Sequence, residues 1–210
     1  MSGKSDVFMK PAVILIGPQL GENIGTVARA MLNFGLEDLR LVNPRHGWDV
    51  DRAIKASAGA DKVVENRKTF MTTAEAIADL GYIVATTARS RDMVKTVLTP
   101  EKTAEKIYFH ATEGVKSGLM FGPERTGLDN DDISLCDEIC TVTLNPDFSS
   151  LNLAQAVLLM CYVWSNYKDD TETEVLLMTD TRPANRGELL GMFAHLENAL
   201  DEAGFLAPPE

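Results

Sequence analysis

Short apolar runs that end in loop-forming residues alternate along this chain with segments of helical apolar spacing, and this alternation constrains the fold most. Ala12–Ile16 is a β-branched run closed by Gly17-Pro18. Residues 23–34 place Ile24, Val27, Ala28, Met31 and Leu32 at helical spacing, and Gly35 stands where a C′ glycine stops a helix. Leu39–Val42 is the next strand, closed by Asn43-Pro44. Residues 50–58 read as a helix and 62–64 as a brief strand. Residues 73–80 read as a helix that Thr72 or Thr73 caps, with Glu75 in its first turn. Tyr82–Thr86 is a strand, 101–109 a helix, 118–121 a buried strand, 129–135 a short acidic helix and 139–144 the closing strand. Residues 152–167 form a long helix, apolar nearly all round, which must be buried or meet a partner. Strands alternating with helices predict an α/β fold, a mainly parallel sheet with flanking helices.

After Lys168 the pattern changes. Residues 169–174 are polar and acidic and read as a linker. Residues 186–203 form an amphipathic helix with Leu189, Leu190, Phe193, Leu196 and Leu200 on one side. The expected organisation is therefore one domain over residues 1–168 and an appendage over 169–210. A chain of 210 residues can bury a sizeable core. No apolar run approaches the roughly 20 residues that span a bilayer, and the first ten residues lack a signal-peptide apolar region. Cys136, Cys140 and Cys161 are too few for a disulfide framework. These three features predict a cytoplasmic protein that contacts no membrane.

A net charge of −11 argues against a nucleic-acid partner, but its distribution does not. Residues 1–95 hold 13 Lys and Arg against 11 Asp and Glu, net +2; residues 96–210 hold 7 against 20, net −13. Polyanion binding needs local basic surface rather than a basic total. The first half supplies it in Arg29, Arg45, Arg52, Lys55, Arg67, Lys68, Arg89, Arg91 and Lys95, although any one of these also suits an ordinary solvated surface.

Two loops follow strand ends, where open α/β sheets bind ligands. One is Gly122-Pro123-Glu124-Arg125-Thr126-Gly127-Leu128; the other runs from Asn145-Pro146 to Asn152-Leu153. A third feature, Asn23-Ile24-Gly25 with Arg29, opens the first helix, whose N-terminal amides suit an anion. Common chemistries fail on spacing. Gly17, Gly21 and Gly25 are four apart, unlike the dinucleotide fingerprint, and no Gly-Lys-Ser/Thr completes a phosphate loop. Cys136 and Cys140 lack a nearby histidine, so no metal site is expected. No Gly-x-Ser-x-Gly elbow supports a serine triad. Group transfer from a nucleotide-like cofactor survives best, with a nucleotide-binding oxidoreductase as the competing class.

Three segments in order resemble the SPOUT superfamily of RNA methyltransferases, in its SpoU/TrmH branch. They are Asn23-Ile24-Gly25 with Arg29-Ala30; Phe121-Gly122-x-Glu124-x-x-Gly127-Leu128; and Asn145-Pro146 through Ser150-Leu151-Asn152-Leu153-Ala154, with Ala156. Their order and spacing match the branch over residues 12–165, about three-quarters of the chain. The resemblance implies a C-terminal deep trefoil knot and a homodimer that shares the long apolar helix. It implies S-adenosylmethionine as cofactor, held by Thr86, Thr87, Ala88, Gly122, Pro123, Glu124, Val142, Thr143, Leu144, Ser149, Ser150 and Leu151. It also implies that Arg29, Asn23, Ser150, Asn152 and Glu124 carry methyl transfer to a ribose 2′-hydroxyl of RNA.

Residues 86–91 and Asn43-Pro44 are most similar to branch members that methylate tRNA in the anticodon loop, at nucleotide 32. Methylation of ribosomal RNA, and a non-catalytic RNA-binding module on the same fold, are the alternatives. Phe148 stands where many members carry a tyrosine. Members usually continue past a point like Pro208-Pro209-Glu210, which leaves a truncated end as one reading of this terminus.

Overall fold

A computed structural model describes residues 9–87, 94–148, 150–168 and 182–206. The chain divides into two compact units, residues 1–169 and 170–210. The first contains a sheet of seven strands in the order β3-β2-β1-β6-β4-β7-β5, with every described pairing parallel. Its strands are β1 (Ala12–Ile16), β2 (Leu39–Val42), β3 (Lys68–Phe70), β4 (Tyr82–Thr86), β5 (Val97–Leu98), β6 (Ser117–Phe121) and β7 (Glu138–Cys140).

Alternation within the strands divides the core. Val13 and Leu15 of β1, Val84 of β4 and Leu119 and Phe121 of β6 pack on one face, with α1 (Gly21–Asn33), α3 (Asp61–Glu65), α5 (Pro100–Thr112) and α7 (Leu153–Ser165). Ile14, Ile83, Ala85 and Met120 pack on the other, with α4 (Thr73–Ile77) and α6 (Asn130–Ser134). Both faces are covered, so these strands read as continuous apolar runs.

Local chemistry fixes the helix ends. Gly35, at φ 73°, donates to Leu32 O while Leu36 donates to Met31 O, a Schellman stop for α1. Thr72 and Glu75 form a reciprocal capping box on α4, and Asp129 caps α6. Helix α2 (Val50–Ser57) starts at Asp49, whose side chain accepts from the Arg52 amide. It crosses α1 so closely that a Cβ on Gly25 would lie 2.0 Å from Ala53 O.

The structure corrects two sequence expectations. Residues 62–64, expected as a strand, lie in helix α3: Asp61 opens it, and Val63 and Val64 turn inward to the core. The strand expected over 139–144 ends at Cys140: the Thr141 amide makes the last rung, to Leu98 O where β5 ends, and its hydroxyl donates to Thr87 O just past β4, so both neighbouring strands have run out. Strands β3 and β5 were not expected; they are short edge strands with exposed residues such as Val97.

In the second unit, Asn185 and Glu188 form a capping box on α8 (Arg186–Glu202), and Arg182 pairs with Glu188. The linker expected over 169–174 lies outside the described residues.

Candidate active site

The carboxyl ends of β4, β6 and β7 open on one side of the sheet, and a cavity of about 310 Å³ lies there. Thr86 and Thr87 line it from β4; Phe121, Gly122, Pro123, Glu124, Arg125 and Gly127 line it from β6. Val142 and Leu144 follow β7, and Ser150, Leu151, Leu153 and Ala156 complete the wall at the start of α7.

The β6 loop is shaped by its glycines. Gly127 takes φ 69°, a left-handed conformation that favours glycine, and its amide donates to Pro123 O at 2.9 Å. The loop thereby folds back onto its own start. A Cβ on Gly122 would meet the Leu128 nitrogen at 2.2 Å and the Gly127 carbonyl carbon at 2.3 Å. No side chain fits at 122 unless the backbone moves.

A hydrogen-bonded relay spans three distant segments. Asn152 caps α7, accepting from the Ala154 amide at 2.8 Å while Gln155 accepts from its own amide. Its Nδ2 donates to Asn23 Oδ1 at 3.2 Å, and Asn23 Nδ2 donates to Glu124 Oε1 at 2.7 Å. One Glu124 oxygen is thereby anchored. The other, Oε2, is shielded from solvent with no hydrogen-bond partner, and so is Thr86 Oγ1. Native proteins rarely strand buried polar atoms. Two such atoms on the wall of one cavity fit a polar ligand with hydrogen-bonding groups of its own, as S-adenosylmethionine has.

Of the residues expected to act on substrate, the structure brings Asn23, Glu124 and Asn152 into one relay and places Ser150 on the cavity wall. Arg29 stands apart. Six residues turn it about 120° around α1 from Asn23. It lies exposed, on the solvent stripe with Glu22 and Thr26, without a hydrogen-bond or ion-pair partner among the described residues.

Of the residues expected to hold cofactor, Thr86, Thr87, Gly122, Pro123, Glu124, Val142, Leu144, Ser150 and Leu151 line the cavity. Thr143 is exposed and absent from the wall, and Ala88 and Ser149 lie outside the described residues. Phe121, Arg125, Gly127, Leu153 and Ala156 also line it and were not singled out as site residues. Leu153 and Ala156 are three apart at a helix start, spacing that could have marked them.

Buried thiols add no reactive group. Burial pushes Cys136 and Cys161 up to about 12 and Cys140 up to about 11, so all three stay protonated at neutral pH. No cluster of three or more metal-ligating side chains occurs among the described residues.

Comparison with known proteins places this arrangement in a family. The model of the SpoU rRNA Methylase family matches residues 10–162. A relative from Cronobacter sakazakii, "tRNA (cytidine/uridine-2'-O-)-methyltransferase TrmJ", is 35% identical over 200 residues, covering 93% of this chain and 80% of its own. The crystal structure of TrmJ from Z. mobilis ZM4 superposes with a TM-score of 0.81 at 51% identity, over 95% of this chain and 83% of that one. The SpoU methyltransferase AviRb from Streptomyces viridochromogenes, crystallised with AdoMet, shares the fold at 18% identity, with a TM-score of 0.61 over 77% of this chain and 61% of its own. The chain belongs to the SpoU rRNA methylase family.

Proposed function

We propose that this protein transfers a methyl group from S-adenosylmethionine to the ribose 2′-hydroxyl of a cytidine or uridine in tRNA. The observation that carries the reading is the Asn152–Asn23–Glu124 relay at the cavity formed by the ends of β4, β6 and β7. Relatives that match over most of the chain are named for this reaction on tRNA, which favours tRNA over ribosomal RNA. The cofactor supplies an activated methyl on a sulfonium centre.

The chain supplies orientation and charge. Asn23 and Asn152 are held by each other, by Glu124 of the cavity wall and by the α7 cap, so their amides are fixed beside that wall. With Ser150 they position the ribose. Such orientation is worth roughly 7–11 kcal/mol when two reactants become one complex. Arg29 acts as a clamp on phosphate or developing oxyanion, because a guanidinium keeps its proton and cannot serve as a base. Its exposure and its distance around the helix from Asn23 suit a group that meets incoming RNA.

The reading extends to the whole molecule. Residues 1–168 form the methyltransferase domain and 169–210 an appendage. The segment through the β6 and β7 loops threads as a deep trefoil knot. Two copies pair through α7, whose Leu158 and Tyr162 are 42% and 55% exposed. The enzyme works in the cytoplasm; among the described residues no helix is long and apolar enough to cross a membrane.

The test is transfer of tritiated methyl to purified tRNA and ribosomal RNA, with mapping of the modified ribose. Arg29→Ala is expected to slow transfer by roughly 10²–10³-fold, the loss typical of a preorganised electrostatic group, with cofactor affinity unchanged. Wild-type turnover in that variant would remove Arg29 from the reaction. Absence of transfer by the wild-type protein to any RNA would favour a non-catalytic RNA-binding module.

A further inference from the structure

Among the described residues of the cavity wall, Glu124 and Arg125 are the two with ionisable side chains, and they are held differently. Arg125 is exposed and has no partner among the described residues. Glu124 is fixed by Asn23 through one oxygen, and its other oxygen is shielded from solvent and bare. A buried carboxylate oxygen without a hydrogen-bond donor is costly to maintain, so the wall keeps an acceptor in readiness for a ligand.

The methyl donor and the product left after transfer differ by one charge. Loss of the methyl turns a sulfonium cation into a neutral thioether, and both molecules keep the same adenosine, ammonium and carboxylate groups. A cavity of about 310 Å³ is small. Glu124 forms part of its wall, so a cation bound there shares the cavity with this carboxylate, and charges partly shielded from water are screened little by salt. Resting on the cofactor assignment above, we infer that Glu124 is the residue by which the cavity distinguishes donor from spent product, its bare oxygen favouring the sulfonium cation over the neutral thioether. Once the charge is gone the attraction goes with it, and the product leaves. Arg125 is exposed, so water screens its repulsion of the sulfonium, and it bears on the groups that both molecules share.

Calorimetric titration of S-adenosylmethionine and S-adenosylhomocysteine into the wild type, Glu124→Gln and Arg125→Gln tests this without RNA or turnover. Glutamine can still accept the Asn23 hydrogen bond, so Glu124→Gln removes charge while keeping the anchor. It is expected to weaken donor binding by roughly tenfold, the scale of one partly shielded charge pair, and product binding by less than about threefold. Arg125→Gln should weaken both ligands alike. Sinefungin, which carries an amine cation near the sulfonium position, should follow the donor.

If Glu124→Gln unfolds, Glu124→Asp serves instead and should retain the donor preference. Equal weakening of both ligands by Glu124→Gln, or of neither, would overturn the inference while leaving the cofactor assignment standing. Failure of the wild type to bind either molecule would overturn both.

Discussion

An added methyl at position 122 would press on the backbone of residues 127 and 128, not on a side chain that could swing away. Gly122→Ala is therefore expected to weaken S-adenosylmethionine binding by roughly tenfold or more, since overpacking against fixed atoms typically costs about 1–3 kcal/mol; calorimetry measures it. Asn152→Ala removes both the α7 cap and the link to Asn23. It should lower stability by about 1 kcal/mol, read by denaturant unfolding, and should also slow methyl transfer. The loop glycines and the asparagine before a helix were legible in sequence because each answers a local backbone need. The pairing of Asn23 with Glu124, 101 positions apart, leaves no local trace; the resemblance put both in one site without pairing them. Thr143 stands off the wall for a local reason: Val142 and Leu144 reach the cavity, while the residue between them is exposed.

Helices and strands were legible where periodicity was strong and opaque where elements were short. Strands β1, β2 and β4 match their expected bounds because both faces are buried and the apolar run is unbroken. Strands β3 and β5 have three and two residues and expose several of them, so no pattern marks them. In α3 two valines suggested a strand, and tertiary packing overrode that preference. The α1–α2 crossing gives a prediction at this scale. Gly25→Ala would drive a Cβ against Ala53 O at 2.0 Å and Ala56 Cβ at 2.9 Å. The helices must part, which should destabilise the protein by about 1–3 kcal/mol in thermal or chemical unfolding.

At the far end of the sheet from the cavity, Arg40 is almost fully buried among Asp38, Asp79 and Ala76 O. Burial would raise the Asp38 carboxyl, but hydrogen bonds from Arg40, Lys116 and Lys68 outweigh it and hold the group well below the usual carboxylate range. Hydrogen bonding to Arg40 does the same for Asp79. Carboxylates lowered in the folded state stabilise it above the unfolded value of about 3.9, and that contribution is lost as pH falls further. Unfolding midpoints should therefore drop between about pH 4 and 2, and less steeply in Arg40→Met, itself destabilised by about 3 kcal/mol. If α7 forms the shared face of a dimer, Leu158→Glu with Tyr162→Glu should yield monomers by sedimentation. The acidic total should not prevent RNA affinity from falling steeply with salt.

The sheet order was beyond the reach of sequence, because pairing between β1 and β6 joins Ala12 to Gly118 across roughly a hundred intervening residues. That pairing sets a timetable for synthesis. As the polypeptide leaves the ribosome, β1 can find β2 at once but has no neighbour on its other side until β6 emerges. The donor-binding chamber waits longer still, for Asn152 to arrive and tether Asn23. A translation product cut short before that point would have most of its strands and no competent chamber, so a stalled chain could not capture and withhold the cell's methyl donor.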